Sequence, residues 1–180
     1  MIAHPTQKLA LRVCSLNVNH STAATHATMH HISTQKDLPF DIILIQEPWW
    51  GEIDSSHTTV SLAGWQATLL KLNIAQNECP RMVSYHRLGM GINLMLRTDI
   101  AQDLDFMIMN VGREGASWPQ TILINIYNQK AQDTNNGITQ EWTSDHLQSH
   151  IPIQSIPMII AGDWNIRDPS WDDRVPAPNL

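Results

Sequence analysis

Four stretches of this sequence end in side chains that carry carboxylate, amide or hydroxyl groups. Near residue 160 an apolar run, Met158–Ala161, passes into Gly162, Asp163, Trp164 and Asn165. On extended backbone, residues two apart point the same way. A carboxylate and a carboxamide would then stand side by side at the lip of a sheet, a pairing that suits a cation, a phosphate or both. Glu47 follows the apolar run Ile42–Ile45 and Gln46, and Pro48 ends that run. Asn17 closes "VCSLN", and Tyr127 with Asn128 closes "TILINIYN". The recurrence carries more weight than any one stretch, because a rigid sheet fixes groups placed at its strand ends. Each residue also has a plainer reading. Asn17 could satisfy backbone groups, Glu47 could be a solvated charge, and Asp163 with Asn165 could close an Asx-turn. Tyr127 could be a packing aromatic with a wet hydroxyl. His30 and His31 look like a metal pair, but adjacent residues do not face one site on a helix, so both are read as surface residues.

The elements that must position these groups follow from periodicity. "VCSLNV" alternates and is β-rich, which predicts a first strand. "HSTAATHATMHHISTQK" predicts a helix capped by Ser21, with Ala23, Ala27, His30 and His31 roughly on one side. "FDIILIQEPWW" is the continuous apolar run of a buried strand, stopped by Pro48. Strand, helix, strand is a βαβ-like opening. "GWQATLLK", "RMVSYHRL", "GINLMLR" and "LDFMIMNV" then read as short strands of an antiparallel sheet. "TILINIYNQ" adds another strand. "NGITQEWTSDHLQSHI" has Ile138, Trp142 and His146 at helical spacing. "MIIAGD" is the last strand, and the Pro-rich "WDDRVPAPNL" reads as an exposed loop.

Bulk composition narrows the class. The chain has 180 residues, 42% of them hydrophobic and 16% charged, which suits one domain. No apolar run approaches ~20 residues, so no transmembrane helix is expected. "MIAHPTQKLALRV" lacks the basic start and apolar core of a secretory leader. Cys14 and Cys79 cannot make a disulfide framework, and Cys14 reads as a small core residue. An intracellular protein is expected. A net charge of −6 argues against a simple nucleic-acid coat, which would show a basic patch. It leaves room for a nuclease whose bound cation supplies the positive charge.

"LRVCSLNVN", "IILIQEP", "INIYN" and "IIAGDWN", in this order and spacing, resemble the endonuclease/exonuclease/phosphatase superfamily, with its deoxyribonuclease I-like fold. More narrowly, "QEPWW", "PRMVSYHRLGMGINLMLRTDI" and "GDWNIRDPSWD" resemble the endonuclease domain of fungal non-LTR retrotransposons. The resemblance implies a four-layer α/β sandwich: two mainly antiparallel sheets packed face to face, with helices outside. It implies a Mg²⁺-dependent endonuclease, Mn²⁺ serving as well, that nicks DNA beside a reverse transcriptase domain in the nucleus. Glu47 would be the main metal ligand, and Asn17 would position the metal or its water. Tyr127, with Asn128 beside it, would contact the phosphate. Asp163 would orient or activate the attacking water, and Asn165 would hold the phosphate. Trp49 and Trp50 would lie near a substrate groove. The family has a further half after its G-D-x-N strand, ending in Ser-Asp-His. Residues 1–180 would therefore be the N-terminal portion of the domain, leaving a bare apolar edge beside Ile159–Ile160. Ser144-Asp145-His146 precedes "GDWN" and is expected to lie away from the site. Two alternatives stand beside this reading: a catalytically inactive remnant, and a phosphoesterase acting on a small phosphoester.

Overall fold

The computed structural model describes residues 10–34, 40–53, 56–70, 80–100, 105–114, 120–128, 149 and 156–165. The predicted βαβ opening forms as β1 (Val13–Asn17), α1 (Thr22–Thr34) and β2 (Ile42–Gln46), with β1 and β2 parallel. A helical crossover is what allows two consecutive strands to run the same way. Ser21 caps α1, its hydroxyl accepting the Ala24 N–H at 3.1 Å, which satisfies one of the amides a helix start leaves unpaired.

β2 lies inside the first sheet, whose order is β1, β2, β6 (Met82–Arg87), β5 (Trp65–Thr68). Every residue of β2 is buried, because both of its faces are covered. Ile43 and Ile45 pack with Met29 and Ile32 of α1 and with Tyr85. Ile42 and Leu44 pack toward Met107, Met109 and Leu123 of the second sheet. The unbroken apolar run is what a strand covered on both faces requires. Along α1 the buried residues are Thr25, Met29 and Ile32. Ala23, Ala27, His30 and His31 are exposed, so the side singled out in the sequence is the solvent side. Met29 and Ile32 decide the orientation, since they bury far more apolar area than two alanines.

The second sheet has the order β10 (Met158–Asp163), β9 (Thr121–Tyr127), β8 (Phe106–Arg113), β7 (Ile92–Leu96). Its strands are antiparallel except that β10 runs parallel to β9. β3 (Gly51–Ile53) and β4 (Ser56–Thr58) form a separate antiparallel pair. The architecture is thus a face-to-face pair of mixed sheets with a helix packed outside the first. An apolar layer also covers the outer face of the second sheet, where Phe106, Ile108, Ile122, Ile124 and Ile126 are buried with Ile156 and Trp164 against them. The predicted helix at 136–151 lies outside the described residues except for Ser149, which is helical. The tail at 171–180 and Cys79 lie outside them as well. Cys14 is half-buried rather than fully in the core, and burial pushes its thiol pKa up. No helix among the described residues is long and apolar enough to cross a membrane.

Polar side chains cross the apolar layer between the sheets. Gln46 Nε2 donates to Asn125 Oδ1 at 2.6 Å, and both residues are fully buried. Gln46 also reaches Ser15 Oγ at 3.1 Å, and Asn125 Nδ2 reaches Ser84 Oγ at 3.4 Å. Arg81, before β6, pairs with Asp105, before β8. Buried polar groups of this kind stabilise only when they are satisfied, and here each side supplies the other's partner. They hold the two sheets in one relative position, directly beneath the strand ends that matter next.

Candidate active site

Parallel pairing brings strand ends together. Asn17 is in register with Gln46, so Asn17 and Glu47 share one rim of the first sheet. Asp163 is in register with Tyr127, so they share a rim of the second. Stacking the sheets puts β1 against β10 and β2 against β9, and the two rims become one.

The side chains meet there directly. Asn17 Nδ2 donates to Glu47 Oε2 at 2.8 Å and to Asp163 Oδ2 at 2.6 Å. The two carboxylates can therefore be no further apart than those two distances end to end. Tyr127 OH donates to Glu47 Oε1 at 2.6 Å. The orientation of the Asn17 amide follows from its other end, where Oδ1 accepts the Asn19 N–H at 2.6 Å. Glu47 is half-buried, and its backbone is anchored from both sides. Its N–H donates to Arg81 O at 2.7 Å, and its carbonyl accepts the His20 N–H at 2.7 Å. The neighbouring Tyr127 N–H donates to Asp105 O at 3.0 Å. The Arg81–Asp105 pair thus ties together the backbones that carry Glu47 and Tyr127.

Asp163 divides its two oxygens between two tasks. Oδ2 faces Asn17, while Oδ1 accepts the Asn165 N–H at 2.9 Å. The Asx-turn and the shared cluster coexist. Asn165 turns its own amide to Asn128 O at 2.5 Å, and Asn128 Nδ2 donates to Trp164 O at 2.7 Å. These two asparagines clasp the exit of β10 to the exit of β9. Asn128 is 1% exposed. Gly162 is required by the same close approach. Its φ is +153°, and a Cβ there would stand 1.9 Å from Ile126 O.

Backbone strain concentrates at this rim. Among the described residues, the non-glycine positions with positive φ are Asn19, His20, Glu47 and Asn165, all within the cluster. Such conformations cost free energy and persist where surrounding bonds enforce them. Electrostatics point the same way. Two carboxylates about 5 Å apart repel by roughly 3 kcal/mol at an effective dielectric of 20. Asn17, Tyr127 and the Asn165 amide oppose this as hydrogen-bond donors. Burial, then the hydrogen bond and charge of Glu47, push the Tyr127 phenol well above its ordinary pKa. It stays a neutral donor throughout the physiological range.

The donor set fits a divalent cation. Two carboxylates converge with amides, a phenol and the His20 ring around them, and hard oxygen donors suit Mg²⁺ or Mn²⁺. Among the described residues, no three His, Cys, Asp or Glu side chains group closely enough to cage an ion by themselves. An ion here would keep open positions for water or substrate oxygens. Elsewhere near the rim, Trp50 donates its indole N–H to Pro80 O at 2.8 Å, and Trp49 packs against the His26 ring at 5.5 Å between centroids. Ser144-Asp145-His146 lies outside the described residues. Sequence reasoning missed His20, whose Nε2 lies 3.3 Å from Glu47 Oε1. Its signal was its position between a strand ending in Asn17 and a helix capped by Ser21, where a side chain is bound to lie at the sheet rim. It also missed Gln46 and Asn125. An amide inside an otherwise apolar strand was their signal.

The fold is an α/β sandwich of the deoxyribonuclease I type, and a polar cluster lies at the rim where the two sheets meet. Among solved structures, a humanised D. rerio TDP2 carrying 14 mutations is similar to this chain, with a TM-score of 0.51 and 15% sequence identity. The match covers 88% of this chain and 64% of that one, so the chain spans less than two-thirds of that structure. A likeness at this identity speaks to the fold. No family model matches the chain, and no curated protein does.

Proposed function

We propose that this chain is a metal-dependent phosphodiester hydrolase of the endonuclease type, acting on DNA. The observation that carries the reading is the convergence of Asn17, Glu47, Tyr127 and Asp163 through bonds of 2.6–2.8 Å. A bound Mg²⁺ or Mn²⁺ would neutralise charge on the phosphate and the leaving oxygen. Glu47 would be its main ligand, held half-buried by its backbone bonds to Arg81 and His20. Asn17 keeps Glu47 and Asp163 side by side. Asp163, with one oxygen fixed by the Asn165 amide, orients the attacking water and takes its proton through the other. Water oxygen forms the new bond to phosphorus as the bond to the leaving oxygen breaks. On substrate binding Tyr127 redirects its single O–H from Glu47 Oε1 to a non-bridging phosphate oxygen. Asn165 sits beside it as a further phosphate contact. The resemblance of "QEPWW" and "GDWNIRDPSWD" supports a retrotransposon origin, with a reverse transcriptase as partner domain and the nucleus as the place of action.

The test is nicking of supercoiled plasmid in Mg²⁺ or Mn²⁺ by the wild type, Glu47→Gln and Asp163→Asn. Each variant should lose about 10²–10⁴-fold in rate, as removal of a member of an acid/base set usually does. Parallel assays with a small phosphomonoester identify the substrate class. Absence of turnover on every substrate would overturn the reading in favour of an inactive remnant.

A further inference from the structure

We propose that the buried Gln46–Asn125 amide pair positions the rim. It sets how the strand ends of one sheet stand against those of the other, and through them the separation of Glu47 and Asp163. The proposal rests on the hydrolase reading of that rim and deepens it, naming two positioning residues that act through the groups above them.

Three observations carry it. First, the site is divided between the sheets. Asn17 and Glu47 stand at the ends of β1 and β2, and Tyr127 and Asp163 at the ends of β9 and β10. The bonds that join the two halves, Asn17 Nδ2 to Asp163 Oδ2 and Tyr127 OH to Glu47 Oε1, are each 2.6 Å. A shift of about 1 Å between the sheets takes such bonds out of range. Second, Gln46 Nε2 donates to Asn125 Oδ1 across the same gap, also at 2.6 Å. Gln46 directly precedes Glu47. Asn125 stands two residues before Tyr127 on β9, and it is in register with Ala161, two residues before Asp163 on β10. Ser15, two residues before Asn17, accepts from Gln46 Nε2 at 3.1 Å. Residues two apart on a strand share a face, so this network lies one step beneath the site on β1, β2 and β9.

Third, stability does not account for the pair. Gln46 and Asn125 are 1% and 0% exposed, on strands whose other residues facing the gap include Ile42, Leu44 and Leu123. A satisfied buried polar pair and an apolar pair of the same shape differ little in net free energy. They differ in direction. Apolar contacts tolerate sliding, whereas a short amide–amide bond fixes one offset between the sheets.

The experiment uses the full chain and nicking of supercoiled plasmid in Mg²⁺, well below the melting temperature of each variant. Gln46→Leu/Asn125→Leu removes both amides and strands neither. Its kcat should fall about 10–100-fold, as when the groups supporting a site are lost or a reacting group moves by about 1 Å, while KM changes far less. Gln46→Asn shortens the bridge by one methylene and should also lose activity. Gln46→Asn/Asn125→Gln restores its length and should regain most of that loss. A purely structural role instead makes activity follow melting temperature across the set. If the leucine pair fails to fold, the length series decides. The Asn17 side-chain amide gives a readout independent of turnover. Its protons, bonded to two carboxylates, should exchange slowly in NMR of the wild type and the swapped pair, and quickly in the leucine pair. Unchanged kcat or unchanged Asn17 exchange in the leucine pair, or a swapped pair no better than Gln46→Asn, overturns the proposal and leaves the hydrolase reading standing. A wild type that turns over no substrate overturns the hydrolase reading, and Asn17 exchange then decides by itself whether the pair sets the rim.

Discussion

Replacing Gly162 by alanine tests whether the close approach of β10 to β9 sets the position of Asp163. A Cβ at Gly162 would stand 1.9 Å from Ile126 O and 2.7 Å from Ile126 C and N. All three are backbone atoms inside β9, so no side-chain rotation relieves the overlap. An ordinary C···O contact is about 3.3 Å, and β10 must therefore move away by more than 1 Å or lose its ladder locally. The φ of +153° adds a second penalty. The dihedral costs about 1–3 kcal/mol and the overlap about 1–3 kcal/mol. With roughly 2–4 °C lost per kcal/mol in a chain of this size, Tm should fall by about 5–20 °C. Asp163, the next residue, should shift with the strand, and a displacement of about 1 Å costs on the order of 10²-fold in catalysis. Gly112→Ala is the control, because nothing lies within 4 Å of its Cβ position. Denaturant unfolding of both variants, with midpoints and slopes compared, decides the matter. If Gly162→Ala unfolds like Gly112→Ala, the close approach does not constrain β10 and the reasoning fails.

Four further outcomes are expected. The chain has two tyrosines; burial pushes Tyr85 up to about 12, and Tyr127 is raised further. Ultraviolet titration should show little phenolate until well above the usual value of about 10, and Tyr127→Phe should leave one transition near that of Tyr85. Both phenols are raised on folding, so stability should be intact below pH ~10 and fall above it. His86 is buried, its Nδ1 has no hydrogen-bond partner among the described residues, and burial lowers its pKa. Stability should therefore be full above about pH 6.5 and decline as the pH falls below it, a slope that His86→Leu should flatten in thermal melts. Gln46→Leu should cost about 1–3 kcal/mol by stranding Asn125, and the double variant with Asn125→Leu should recover part of that loss. Among the described residues β10 pairs only with β9, and Met158, Ile159 and Ile160 are each more than a third exposed. Ile159→Lys should reduce concentration-dependent light scattering, since a charge blunts an exposed sheet edge.

Local chemistry determined much of this protein. The apolar run at Ile42–Ile45 required a strand covered on both faces, and Ser21 required a helix start. The strands carrying Asn17, Glu47, Tyr127 and Asp163 were legible because each apolar run stops at a polar residue or a proline. The face of α1 was not legible, because Ala27 and Met29 are both apolar and only packing against Ile43 and Ile45 selects between them. The asparagine clasp was equally hidden, since Asn128 and Asn165 read as surface groups until β10 pairs in parallel with β9. His20 looked like any solvated histidine, and its place beside Glu47 depends on a left-handed turn enforced by a backbone bond. Above all, Asn17 and Asp163 lie 146 positions apart and share a hydrogen bond of 2.6 Å. Periodicity determines which face of a strand is buried. Which strand ends meet depends on register and on how two sheets stack, and those are settled by contacts between residues far apart in the chain.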